Sequence, residues 1–331
     1  MFRTREEYLE KFAQYAKQSK FNTTHYPWCY LYDGEELDFQ LHISSIIHGN
    51  EIGSLSAVLA IIERLENKTV SFQGRICITL GNPEACLLDK RFIDSDLNRV
   101  FLDAYTSPHP NHLLNHECQR AHTLMNIFDT SDMIIDLHQT ILPSQEPFYI
   151  CPTTPNSLLW ARAIGTCRRY VDATPTNATP SYRCADEYFW AQGKVALTIE
   201  LGQNGCNDIA HSVALDSILH AMTIIETIHI DHIELSQIAS TQPEIELYET
   251  AHREPYHTAE YQLEDGFINF SSVAKGQPLH SETSSALYAP TDGYLLFPKY
   301  PERHPSTNDT LGPPIDALPK EIYRIVRKIE R

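Results

Sequence analysis

No stretch of this 331-residue sequence comes near the roughly 18 consecutive apolar residues that a membrane helix needs. Residues 1–20 are charged and polar, without the apolar centre of a secretory signal. Neither membrane insertion nor secretion is therefore expected. Positive charge is scarce: 26 Lys and Arg face 43 Asp and Glu, a net charge of −17, which argues against a general nucleic-acid or anionic-membrane surface. Any anionic ligand must be met by arginines gathered locally. Paired cysteines are missing as well. Cys29, Cys77, Cys86, Cys118, Cys151, Cys167, Cys184 and Cys206 stand singly, with no C-x-x-C spacing, and several fall inside apolar runs. They read as reduced thiols of a cytoplasmic protein. Internal repeats and low-complexity tracts are absent too. With 42% hydrophobic and 21% charged residues, the chain has the composition of a globular protein long enough for two domains or one large core.

What is present is an alternation of strand and helix patterns. Residues 1–26 place Tyr8, Leu9, Phe12 and Tyr15 on one helical face. An apolar stretch at 41–47 follows, then a helix at 51–65 and a strand at 75–80 closed by Gly81-Asn82-Pro83. The rhythm continues with a helix at 117–128, a strand at 133–137, a helix at 157–164, a strand at 195–201 and a long helix at 210–228. Such alternation predicts an α/β fold, its mostly parallel or mixed sheet flanked by helices. Past about residue 234 the pattern changes to short runs at 244–248, 267–270, 285–288 and 293–297 between Gly and Pro signals. A boundary is expected near 235–242, dividing an α/β unit (1–238) from a smaller C-terminal β-rich unit (239–331). Residues 299–314 read as a loop, and 320–330 as a closing helix or strand.

His48-Gly49-Asn50-Glu51 joins the end of a buried strand to the start of a helix, so both side chains sit at the carboxyl end of the sheet, where open α/β sheets bind ligands. An imidazole and a carboxylate at this spacing can both reach one Zn²⁺. The spacing alone is common: with 16 His and 25 Glu, about one H-x-x-E match arises by chance, and a second stands at His257-Thr-Ala-Glu260. Asp136-Leu137-His138 adds a second imidazole at the end of a strand of the same sheet. Two His and one carboxylate leave an open coordination position, the layout of a catalytic zinc site. Asp136 either orients that site or caps the loop. His109, His112, His116 and His122 lack a convergent carboxylate and read as a solvated helix start.

In residues 195–203, Glu200 is a lone carboxylate in an otherwise apolar strand, which is costly to bury without a partner or a task. It is either a general base or an edge-strand residue facing water. Residues 90–99 carry Arg91, Asn98 and Arg99 between apolar residues. A guanidinium there can clamp a carboxylate or polarise a carbonyl, or simply join a surface salt bridge.

Together, His48-Gly-Asn-Glu51, Gly81-Asn-Pro83, Arg91 to Arg99, Asp136-Leu-His138 and Thr198-Ile-Glu200-Leu-Gly202 resemble, in order, the motifs of the succinylglutamate desuccinylase/aspartoacylase family, relatives of the zinc carboxypeptidases. The likeness continues through Ala289-Pro-Thr-Asp-Gly-Tyr294-Leu-Leu-Phe297-Pro298 and is closer to the desuccinylase branch. The resemblance implies a zinc carboxypeptidase-like α/β catalytic domain and a C-terminal domain covering the site. It implies one Zn²⁺ per chain held by His48, Glu51 and His138, with Glu200 as base and Arg91 polarising the scissile carbonyl. Asn98, Arg99 and Tyr294 would contact the substrate. The implied reaction is hydrolysis of an N-acyl amino acid, N-succinylglutamate first among them, to a carboxylic acid and a free amino acid. One departure concerns the substrate: members acting on acidic amino acids carry an Arg about ten residues before the base, where this chain has Trp190, or Glu187 with a short insertion. Arg183 is the nearest replacement. The partner implied is a small molecule rather than nucleic acid or membrane, and a homo-oligomer is compatible with the sequence. A metallo-carboxypeptidase and a metal-free binding module are the competing readings.

Overall fold

The computed structural model describes residues 2–19, 27–102, 115–175, 183–256, 262–280, 286–300 and 320–330. Thr4 starts helix α1 (Arg5–Gln18) through a capping box with Glu7, and the helix buries Tyr8, Leu9, Phe12 and Ala16. Tyr15 is only partly buried. The helix is shorter than its apolar pattern suggested; residues 20–26 lie outside the described residues. Strands β1 (Cys29–Asp33) and β2 (Gln40–Ser45) precede a 3₁₀ turn (Ile52–Ser54) and helix α2 (Leu55–Glu66). Strand β3 (Arg75–Leu80) runs into α3 (Pro83–Leu87), where Asn82 caps and Pro83 takes the first helical position, whose N–H would be unpaired in any case. Next come α4 (His116–Phe128), β4 (Met133–Thr140), β5 (Phe148–Cys151), α5 (Pro155–Ile164) and β6 (Arg169–Asp172). They lead to α6 (Ala185–Ala191), β7 (Val195–Gln203), α7 (Asp208–His229) and α8 (Leu235–Ser240).

The last part of the chain is β8 (Glu246–Pro255), β9 (Ser272–Val273), β10 (Gly293–Leu296) and β11 (Glu321–Lys328). Residues 320–330 thus close the chain as a strand. The run at 267–270 is not a strand; Asn269 makes a single bridge to Ser144. Residue 285 and most of 299–314 lie outside the described residues.

Among the described residues, eleven strands form one sheet in the order β1-β3-β2-β4-β7-β5-β6-β8-β11-β10-β9. Its centre, β3-β2-β4-β7, is parallel. Strand β1 runs antiparallel to β3 and β5 antiparallel to β7, so the sheet is mixed. The period-two alternation of each strand splits the core into two layers. In β4 and β7, Ile135, Leu137, Leu197 and Ile199 pack into the larger cluster with α1, α2, α5 and α7. Ile134 and Ala196 turn the other way, against Leu124 and Phe128 of α4 and Phe189 of α6. On that second face the same alternation places Asp136, His138, Thr198 and Glu200 at the carboxyl ends of the strands. The segment 235–242 contains α8, with Ala239 buried in the larger cluster. The C-terminal strands have their own core around Leu279, Leu295 and Ile325. An aromatic cluster of Phe148, Tyr248 and Phe270 lies where they meet β5. No helix among the described residues is long and apolar enough to cross a membrane. All eight cysteines are free, and six are buried.

Candidate metal centre

After β2 the chain turns at Ile46, a β-branched residue held at φ +47°, a strained conformation that persists only where the surroundings fix it. It then enters the buried pair Ile47 and His48. The next residue must be glycine, because a Cβ on Gly49 would lie 2.4 Å from the backbone nitrogen of Cys86. This turn places His48 Nδ1 2.7 Å from Glu51 Oε1. From β4, His138 Nδ1 comes within 2.9 Å of Glu51 Oε2 and 3.2 Å of His48 Nδ1. All three side chains are buried, and one ligand atom from each lies within 4.8 Å of the others.

The outer ring nitrogens explain the chemistry of the inner ones. Asp136 Oδ2 lies 2.8 Å from His138 Nε2 and holds a proton there, so that Nδ1, which faces Glu51, would be the nitrogen left to a cation once its own proton is displaced. His48 Nε2 is met by Asp96 Oδ1 at 3.0 Å and by Arg91 Nη2 at 2.7 Å. Because Arg91 can only donate, Nε2 accepts and the ring proton sits on Nδ1, toward Glu51; with a cation on the inner side that proton would pass to Nε2, facing Asp96. Two imidazole nitrogens and a carboxylate facing one another form the N,N,O donor set that suits zinc. Burial opposes the charge on Glu51, yet the two imidazoles hold its carboxyl well below the usual range. Burial also works against the His138 charge, but Asp136 and Glu51 hold that ring well above the ordinary histidine range. The residues present fit a divalent metal.

Glu200 stands beside them. The parallel register of β4 and β7 pairs His138 with Glu200, so both side chains leave the same face of the sheet. Phe148 pairs with Glu200 on its other side. Glu200 is half-buried, and its Oε2 is sealed from solvent without a hydrogen-bond partner. Burial pushes its carboxyl up to about 7, with the His138 charge pulling the other way.

The arginine loop is held by a residue that the sequence reading passed over. Glu117, fully buried in the first turn of α4, accepts at Oε1 from Asn82 Nδ2 (2.9 Å) and Ile93 N (2.7 Å). Its Oε2 accepts from Asp94 N and Ser95 N, both at 3.0 Å. Arg91 is thereby set with Nη1 3.1 Å from Glu51 Oε1 and Nε 3.2 Å from Asp96 Oδ2. Asp96 was likewise unassigned; burial opposes its charge, but His48 and Arg91 hold its carboxyl well below the usual range. A third unassigned residue is Gln139, whose amide donates to Glu51 Oε2 at 3.1 Å and whose side chain joins Gly53, Gln203 and Gly205. Only its place next to His138 could have drawn attention to it.

Asn98 and Arg99 point toward the start of α6. Asn98 Oδ1 accepts from Ala185 N at 2.9 Å, and Arg99 Nη1 lies 3.3 Å from Cys184 Sγ. Arg183 is exposed just before α6, and Trp190 is partly buried at its far end. The Tyr294 ring packs on Tyr248 at 5.7 Å and Phe270 at 6.4 Å, one layer behind Phe148. The structure thus gathers His48, Glu51, His138, Arg91 and Glu200 closely. Asn98 and Arg99 adjoin them through Asp96, while Arg183 precedes α6 and Tyr294 packs in the aromatic cluster with Phe148. His116 starts α4 and His122 is exposed. His109, His112, His257 and Glu260 lie outside the described residues.

Residues 39–227 match the family model of the succinylglutamate desuccinylase/aspartoacylase catalytic domain. The chain belongs to this family. The succinylglutamate desuccinylase of Shewanella piezotolerans is 26% identical over 266 residues, spanning 74% of this chain and 73% of that protein. The enzyme of that name from Pseudoalteromonas atlantica is 25% identical over 283 residues, spanning 79% and 77%. Among solved structures, the succinylglutamate desuccinylase from Chromobacterium violaceum superposes with a TM-score of 0.64 at 18% identity, covering 92% of this chain and 89% of that one. Murine aminoacylase 3 gives 0.56 at 16% identity, covering 88% and 98%. These structural likenesses establish the fold. The desuccinylase/aspartoacylase match contains His48, Glu51, Arg91, His138 and Glu200.

Proposed function

We propose that this chain is a zinc-dependent hydrolase that cleaves the amide bond of an N-acyl amino acid, with N-succinylglutamate the first candidate substrate. The observation that carries this reading is the convergence of His48, Glu51 and His138 beside a carboxyl, Glu200, whose sealed oxygen has no partner. His48 Nδ1, His138 Nδ1 and the Glu51 carboxylate would hold one zinc ion. When bound, the metal supplies Lewis acidity toward water and an acyl oxygen.

The chain's own groups do the rest. Glu200, raised to about 7 by burial, is suited to take a proton from water and return it to the departing amine near neutral pH. Arg91, fixed by Glu51 and Asp96, offers a guanidinium to the negative charge that develops on the acyl oxygen. Asn98 and Arg99 would bind a substrate carboxylate; Arg183 and Tyr294 would act only from the margin. Residues 1–238 would form the catalytic unit and 239–331 the β-rich unit that covers it. Eight free cysteines support a cytoplasmic location.

The test is amine release by zinc-loaded protein from a panel of N-succinyl and N-acetyl amino acids, acidic and neutral. Turnover of N-succinylglutamate above the others is expected. Turnover of none of them, in protein that binds zinc, would overturn the reading.

A further inference from the structure

Three cations of the C-terminal strands converge on one carboxylate. Glu321 Oε1 is 2.6 Å from Arg324 Nε and 3.7 Å from Lys299 Nζ, and Glu321 Oε2 is 3.3 Å from Arg253 Nη1. The Lys299 and Glu321 side chains are only 17% exposed. One carboxylate against three cations leaves surplus positive charge; Arg253 is half exposed, whereas Lys299 and Arg324 are largely shielded from water, an arrangement that favours a further anion beside those two.

The cluster is tied to the metal strand. Lys299 N donates to Ile322 O, and two residues earlier Phe297 N donates to Asn269 Oδ1 at 2.7 Å. Buried Asn269 in turn donates to Leu142 O and Pro143 O, in the loop that leaves β4 just after His138. The Arg324 guanidinium lies over the Phe297 ring, 5.3 Å from its centre. The cluster also lies within electrostatic range of the arginine loop. Burial first, then the charges of Arg324 and Arg91, push the Lys299 ammonium down to about 8 against the pull of Glu321. The charge of Arg99 acts on Arg324 in the same sense. On the opposite flank of Arg99, α6 offers Asp186 and Glu187 in its first turn. Arg183, just before α6, is exposed, so the sheltered cations available to an additional carboxylate are those of the C-terminal strands.

We propose that Lys299 and Arg324 form a carboxylate-binding subsite that selects N-acyl amino acids whose side chain ends in a carboxylate. The identity of the ligand rests on the hydrolase reading above; the subsite itself can be tested without turnover. The probes are N-succinylglutamate and its neutral isostere N-succinylglutamine, titrated calorimetrically into zinc-loaded Glu200→Gln protein. The same titrations are made with Lys299→Met and Arg324→Met added singly, each checked for an unchanged melting temperature. The parent is expected to prefer the glutamate compound by about tenfold or more, and either substitution to abolish that preference while leaving the glutamine compound unaffected.

In otherwise native enzyme, Lys299→Met should raise KM for N-succinylglutamate by a similar factor with little change in kcat. If neither compound is hydrolysed but the Lys299-dependent preference persists, the subsite stands and the hydrolase reading falls. If both compounds bind equally, or both weaken equally on substitution, the subsite is overturned whatever the activity. Should Lys299→Met melt early, Lys299→Gln, which keeps a polar head and removes the charge, is read by the same criteria.

Discussion

Asp136 and His138 leave β4 on the same face, two residues apart, and meet at 2.8 Å through Oδ2 and Nε2. The carboxylate is paid for by that contact and little else, since its Oδ1 is buried without a partner. Its role is to fix the ring that faces Glu51. Asp136→Asn is expected to keep the fold and to weaken zinc binding about 10- to 100-fold. Competition against a chromogenic chelator measures this, and an unchanged affinity would remove Asp136 from the metal site.

Glu200→Gln separates proton transfer from metal binding. The amide is nearly isosteric but cannot accept and return a proton. Amine release is expected to fall by about 10²- to 10⁴-fold while the protein still binds one zinc per chain. Near-native turnover by this variant would take Glu200 out of the chemistry.

Glu117 receives three successive loop amides and one side-chain amide. Glu117→Gln would turn an NH₂ group toward those donors and leave at least one of them unmet. A stability loss of about 1–3 kcal/mol is expected in urea denaturation. A drop in kcat/KM should accompany it, because the loop carries Arg91. An intact loop with unchanged kinetics would contradict this account.

His42 provides a pH dependence. Its ring is buried, with Nε2 2.8 Å from Thr79 Oγ1, and burial pushes its pKa down to about 3. An unfolded histidine takes up its proton near pH 6.5. Below that pH the unfolded chain holds the extra proton and the folded chain does not, so stability falls as the solution is acidified toward pH 3. The loss from this residue approaches about 1.4 kcal/mol per pH unit over the lower part of that window. His42→Gln should flatten the decline between pH 6 and pH 4 in denaturation curves. An identical slope in both proteins would show that other groups set it.

The sequence revealed local pairings far better than distant ones. His48 and Glu51 were legible as ligands because one turn brings them together, and His138 because it follows an apolar run that had to be a sheet strand. The polar residues His138, Gln139 and Thr140 concealed the last part of β4, since their burial is made acceptable by partners elsewhere in the chain. Strands β5 and β6 have four residues each and carry too little periodicity to be seen. The antiparallel placement of β5 on β7 leaves no trace in alternation, so the sequence predicts a mostly parallel or mixed sheet without saying which strand reverses. Glu117 read as an ordinary acidic residue near a helix start. Nothing local shows that the amides of residues 93–95 would fold onto it. The cations around Glu321 come from β8, β11 and the chain just after β10, and only the tertiary fold unites them.

The pairing of Arg169, Tyr170 and Val171 with Glu246, Leu247 and Tyr248 carries the ladder without a break from the strands around the metal centre to the C-terminal ones. Swinging one part away from the other would tear those hydrogen bonds and split the aromatic layer beneath them. A motion that admits a ligand would then be one of side chains and loops, over nanoseconds to microseconds, and not a hinge between the parts that these strands join.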